Sequence, residues 1–167
     1  MKKLALVAAM ILGIAAMSFA QSNASTNINV SSTVIQGITI STTGTLAFGT
    51  IVAGTTPAAL SANTNGSAPK VTVTANGGTV ITVTYPASVA LTGPGTDLTL
   101  TPTVVGSTNT SGQATATSVT SGTTVTTSGT TGTAGNYYFW LGGSLAALPS
   151  AQTPGAYTGT VTLSVNY

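Results

Sequence analysis

Charge is what this sequence most lacks. The 167 residues hold three basic residues, one acidic residue, no His and no Cys. Two of the bases, Lys2 and Lys3, stand at the very start. Removing a leader there leaves Lys70 and Asp97 alone, and the formal net charge falls from +2 to 0. General acid–base catalysis needs a side chain that titrates near the working pH. A serine nucleophile needs a base beside it. Zinc needs Cys, His or carboxylates, and calcium sites take several carboxylates. One lysine cannot neutralise a phosphate backbone. The sequence therefore argues against an enzyme, and against any cofactor, metal or nucleic-acid partner. Without Cys there is also no disulfide, and no lipid anchor on an N-terminal Cys. Stability has to come from packing and backbone pairing.

Low charge does not make the chain disordered. Disordered segments combine low hydrophobicity with high charge, whereas this chain is 42% hydrophobic and 2% charged. It is long enough to bury a core as one domain.

Residues 1–20 read as a secretory signal peptide. Met1-Lys2-Lys3 is the positive start, Leu4 to Met17 the apolar run, and Ser18-Phe19-Ala20 a small-residue cleavage site. The apolar run is short for a bilayer span, so the mature form is expected to carry no membrane span. The expectation is a secreted protein, extracellular or on the cell surface.

Beyond residue 20 the apolar residues alternate with period 2, and no helical period stands out. Val, Ile, Thr and Tyr fill the alternating runs, as suits pleated strands. From Tyr157 to Tyr167 one face carries Tyr157, Gly159, Val161, Leu163, Val165 and Tyr167, and the other carries Thr, Ser and Asn. This predicts a strand with Tyr157, Val161, Leu163, Val165 and Tyr167 on its core face. Ile28, Val30, Val34, Ile38 and Ile40 share one parity near the start. Lys70–Thr74 and Thr79–Tyr85 read as a hairpin around Asn76-Gly77-Gly78. Pro86 ends the second of these. Leu98–Val104 is a further strand, with Pro102 marking an edge or a bulge. Asn136–Leu141 is an aromatic strand, and Gly142-Gly143 turns out of it. The low-complexity stretch 106–135 is either a flexible loop or a weak hairpin bringing Val119 and Val125 together around Ser121-Gly122. There is no fixed repeat, which argues against a solenoid. The fold expected is an all-β, antiparallel β-sandwich over residues 44–167, preceded by an N-terminal strand segment at 21–43.

Several blocks carry a resemblance. Leu46-Ala47-Phe48-Gly49-Thr50-Ile51 resembles the "L-x-F-G-x-I" strand of a family of uncharacterised secreted bacterial β-domains. That family is similar to spore-coat protein U and to the pilins of archaic chaperone–usher pili. Tyr85-Pro86-Ala87, Phe139–Leu145 and Pro154–Val161 resemble further blocks of the family in the same order. The resemblance implies an immunoglobulin-like or pilin-like sandwich outside the cell, with no catalytic residues. It implies self-association into a homopolymer. It leaves room for a periplasmic chaperone and an outer-membrane assembly protein as further partners.

Two classes of function stay open at this point. The first is a structural subunit of a filament, pilus or coat. Ala24, Ile28 and Val30 would then form a donor strand that completes the sheet of the next subunit. The same stretch could instead be a bent first strand of its own domain. The second class is a monomeric adhesin or binding module. It would take carbohydrate through Tyr137, Tyr138 and Trp140, or ice through rows of Thr. The aromatics fit a core equally well, and twisted sheets spoil a flat array of Thr. Lys70 and Asp97 would be two solvated charges, an ion pair, or partners in an isopeptide cross-link. Apart from the chain termini, little titrates between mid-acid and mid-alkaline pH. The melting temperature should stay within a few degrees from pH 4 to pH 9 and respond little to salt; a drift of many degrees in a thermal melt series would contradict this.

Overall fold

The computed structural model describes residues 28–167 together with Thr26. Ala24 and the leader expected at 1–20 lie outside the described residues. Val34–Tyr167 form one unit.

Nine strands are present among the described residues: β1 (Thr39–Thr43), β2 (Lys70–Asn76), β3 (Val80–Thr84), β4 (Val89–Leu91), β5 (Leu98–Ser107), β6 (Thr117–Ser118), β7 (Thr124–Thr126), β8 (Ala134–Leu145) and β9 (Ser164–Asn166). The large sheet runs β1-β2-β8-β5-β4, with β6 also on β5, and the small sheet runs β7-β3-β9. Every pairing is antiparallel. This is the all-β, antiparallel sandwich that the period-2 pattern implied.

Alternation decides which side chains meet. Val71, Val73 and Ala75 of β2 face inward with Tyr137 and Phe139 of β8, and Ile81 and Val83 of β3 close over them. Phe139, Ile81, Val73 and Val83 are the largest fully buried side chains. Burial also pushes the Tyr137 phenol above its ordinary value, against a lowering hydrogen bond with Thr117. Its contribution to stability is whole below the ordinary tyrosine value and fades only as pH rises through the raised one.

The structure corrects the expected hairpin. β2 and β3 do not pair; they belong to opposite sheets and stack face to face. A two-residue type I′ turn needs positive φ at both central residues. Here Gly78 has φ +64°, but Gly77 does not have a positive φ. Asn76 holds the crossover instead. Its Nδ2 donates to Thr79 Oγ1 (2.8 Å), and its Oδ1 accepts from Gly132 N–H (3.0 Å).

Gly142 and Gly143 do not turn out of the strand either. β8 runs straight through them to Leu145. Their bare backbone lets residue 60 lie alongside, with Leu60 N–H donating to Gly143 O (2.8 Å) and Gly143 N–H to Leu60 O (2.9 Å). A Cβ on Gly142 would strike Leu60 O.

The low-complexity stretch is neither one loop nor a hairpin: it carries β6 and β7, in different sheets, between turns. Val119 is buried, with its N–H on Val104 O, and Val125 pairs Ile81. The two valines belong to different sheets. Thr127 is buried because its hydroxyl donates to Asn76 O (2.7 Å). Pro102 sits where an edge was expected. Gly143 spends its N–H and C=O on Leu60, so the facing Pro102 nitrogen points away from β8. There it meets the gap between β4, which pairs Leu98–Leu100, and β6, which pairs Val105 and Gly106.

The sheet also begins earlier than residue 44, because β1 pairs β2 from Thr39↔Thr74 to Thr43↔Lys70. Lys70 and Asp97 do not meet. Lys70 lies level with Trp140 and, across β8, with Val105. Asp97 is eight residues before Val105, roughly 26 Å along the strand.

Phe139→Ala should lower the unfolding free energy by about 3–5 kcal/mol. Gly142→Ala should lower it by about 1–3 kcal/mol through the clash with Leu60. Urea melts of the two variants check both, and wild-type midpoints would contradict the packing described.

Candidate functional site

The two sheets are unequal, six strands against three. β9 reaches only from Asn166 back to Ser164, pairing Thr82–Thr84 of β3. In the preceding residues burial follows the expected alternation, Val161 and Leu163 being half-buried. They belong to no ladder except a single bridge of Thr158 to Thr92. A long C-terminal strand was expected here, and only its last three residues before Tyr167 find a partner.

A second segment outside the sheets lies opposite. Residues 44–53, which contain the Leu46–Ile51 block, form no strand. Leu46, Phe48 and Ile51 are half-buried. Among the described residues, neither 44–51 nor 159–163 makes a backbone hydrogen bond. Buried or half-buried backbone groups are normally paired, so these two rims are unusual.

The rims run in opposite directions. Gly44 lies against Pro69, and Gly54 against Ser150, with Gly54 N–H donating to Pro149 O (3.1 Å). The other rim starts at the opposite end. Tyr157 lies beside Gln152 and Thr153, whereas Leu163 lines a small cavity with Pro69 and Val71. Between the rims is a groove of about 940 Å³, whose lining includes Leu98, Leu100, Leu141, Leu145 and Leu148, all but Leu141 being buried. Its chemistry is that of a strand-shaped apolar slot whose two walls offer unpaired N–H and C=O groups.

One end of the groove is polar. Gln152 is buried, and its Nε2 donates to Thr96 O (2.6 Å) and Tyr157 Oη (2.6 Å). Tyr157 in turn donates to Thr153 O (2.8 Å).

At the far pole of the unit, Tyr167 closes the fold. Its phenol donates to Gln36 O and accepts from Asn76 N–H (3.0 Å). The chain therefore enters the unit at the Asn76 pole. The groove lies towards the Gln152 pole, with β8 running between the two from Ala134 to Leu145, about 35 Å at strand rise.

The family described as a domain of unknown function, DUF4402, matches residues 38–167. The chain belongs to the DUF4402 family. No match to a curated protein was found.

Within this DUF4402 domain the expected site residues separate. Val161 and Tyr157 wall the groove, while Leu163 and Val165 pack on the core. Tyr167 is the clamp at the other pole. Ile28 and Val30, ahead of the matched domain, are 82% and 90% exposed and belong to no strand. Val34 is 92% exposed. Tyr137 and Trp140, offered as carbohydrate-stacking residues, are buried, and Tyr138 is half-buried under Lys70 Nζ at 5.8 Å from its ring centre. Sequence reasoning missed Gln152 and the leucine floor. Leu98, Leu100, Leu141 and Leu145 alternate within β5 and β8 like any core residues, so nothing in the pattern shows that they also line a groove.

Tyr167→Phe should lower stability by about 1 kcal/mol, because it strips both hydrogen bonds at one partly exposed site. Limited proteolysis around residues 34–37 should accelerate with it; an unchanged cleavage rate would deny the clamp.

Proposed function

We propose that this chain is a structural subunit of an extracellular filament, pilus or surface coat that assembles by β-strand complementation. The observation that carries the reading is the groove between two rims, 44–51 and 159–163, that make no backbone hydrogen bond among the described residues. A strand laid there would pair with both rims, and every second side chain would enter the leucine floor. Ile28, Val30 and Val34 share one parity and are exposed, which is the pattern such a strand needs.

The poles favour a filament over a closed pair. The N-terminal stretch joins the unit at the Asn76 pole, and the groove lies towards the other. A second copy that donates its N-terminal stretch stacks head to tail, and a head-to-tail contact propagates. The scarcity of charge supports this, since near-neutral surfaces do not repel their neighbours. Secretion through the residue 1–20 leader belongs to the same reading, as does kinship with spore-coat protein U and archaic pilins. A periplasmic chaperone would cover the leucine floor before assembly, and an outer-membrane protein would order the addition of subunits.

Deleting residues 21–31 from the purified mature protein, or replacing Ile28 and Val30 by Asp, should abolish filaments in negative-stain micrographs. The monomer should keep its wild-type melting temperature. Filaments at wild-type yield would overturn the proposal.

A further inference from the structure

An Asn-Gly pair is where a protein chain most readily reacts with itself, because glycine sets no Cβ beside its own nitrogen. The sequence holds two, Asn65-Gly66 and Asn76-Gly77. The structure treats them in opposite ways. Asn76 is buried, with Nδ2 donating to Thr79 Oγ1 (2.8 Å) and Oδ1 accepting from Gly132 N–H (3.0 Å). Gly77 N–H donates to Thr133 O (2.7 Å), and a Cβ on Gly77 would meet Thr130 O at 2.6 Å. Amide, nitrogen and surrounding space are all taken.

Asn65-Gly66 stands in a turn closed by Ala68 N–H on Asn65 O (2.9 Å). Gly66 is exposed, and a Cβ there would meet nothing within 4 Å. Among the described residues Gly66 N–H makes no hydrogen bond. The Asn65 side chain curls forward, its Oδ1 accepting from Ser67 N–H (3.0 Å). Such a turn folds the side-chain amide over the Gly66 peptide, which is the approach an imide ring needs. Ser67 N–H also stands where negative charge gathers on Oδ1 when a nucleophile adds to Cγ.

We propose that Asn65-Gly66 is a site of spontaneous self-modification that puts a carboxylate on a nearly chargeless chain. The Gly66 nitrogen gives up its proton to water and adds to Asn65 Cγ. The new C–N bond closes an imide ring, and the side-chain nitrogen takes a proton and leaves as ammonia. Water then opens the ring at either carbonyl and leaves an aspartyl or isoaspartyl residue at position 65, with no change of oxidation state. Asp97 is the one acidic residue of the sequence, so the product doubles the side-chain carboxylates. The chemistry needs no second copy and stands apart from the strand-complementation reading. It also reaches Trp140. The isoaspartyl form lengthens the backbone at a residue whose carbonyl accepts from Gln113 Nε2 (2.8 Å). Ala62 and Ala68 of the same segment pack with Trp140, so the cover over that ring loosens as the site reacts.

The test is to hold the folded mature chain in mildly alkaline buffer and follow it by isoelectric focusing and by mass mapping of proteolytic peptides. A more acidic band should grow in, and the peptide that holds Asn65 should gain about 1 Da. The peptide that holds Asn76 should convert about tenfold more slowly or less, because it waits on local opening. In denaturant the two should convert at similar rates. Asn65→Gln, with Gly66→Ala as a second variant, should lose most of the acidic band. The emission of Trp140, the one tryptophan, should move to the red in step with the isoaspartyl fraction. No acidic band from the wild-type chain, conversion of Asn76 as fast as Asn65 in the folded state, or an undiminished band in both variants overturns the proposal. An unmoved Trp140 emission in a fully converted sample overturns the loosening of its cover and leaves the modification site standing.

Discussion

β8 pairs along both of its sides, with β2 over Ala134–Trp140 and with β5 over Tyr138–Leu145. In a chain with almost no ionic groups this double ladder is the constraint on which everything else rests. It fixes the inward set of Tyr137 and Phe139, and with it the face on which β3 must pack. It also fixes where glycine is needed. Gly142 and Gly143 let the Leu60 segment come alongside once β2 has ended, so the strand keeps a partner beyond Lys70. Side-chain polarity has a supporting role: Asn76, Thr127 and Tyr167 satisfy backbone groups where the chain crosses between sheets.

The large sheet is completed by this arrangement and the small one is not. β3 holds β7 and β9 at one end of the sandwich; Leu100 and Leu145 are buried although, among the described residues, no strand continues that sheet over them. Among the described residues the two flanking segments line the groove, and no strand lies between them. An antiparallel pair of rims can take one inserted strand only by pairing with it in parallel on one side and antiparallel on the other. That mixed environment distinguishes the groove from the rest of the molecule, where every ladder is antiparallel.

The all-β architecture was legible in the sequence because period-2 alternation is a local signal. Val71, Val73 and Phe139 announce their inward direction within a few residues. Partnership is not local. Asn76-Gly77-Gly78 has the composition of a tight hairpin, and only the dihedral of Gly77 and the hub at Asn76 show that the chain changes sheets there. Thr and Gly between residues 106 and 135 suggested looseness, yet Val119 and Thr127 are buried by strands far away in sequence. The groove was half legible. The alternation of Tyr157–Tyr167 marked the half-buried Val161 and Leu163 of one rim. A groove lined by buried leucines leaves no trace in the sequence, and neither does the lone acceptor on Gln152.

The bond from Tyr167 to Gln36 has a mechanical side. A pull on the N-terminal stretch reaches the unit at Gln36 and passes at once into β1, whose five residues lie along the direction of the pull. The hydrogen bonds between β1 and β2 stand across that direction, so the whole ladder takes the load together and does not open one bond at a time. The terminal tyrosine holds the entry point beside Asn76 and keeps the tension aligned with the strands. A thread of such units would resist stretching far better than it resists being peeled from the side.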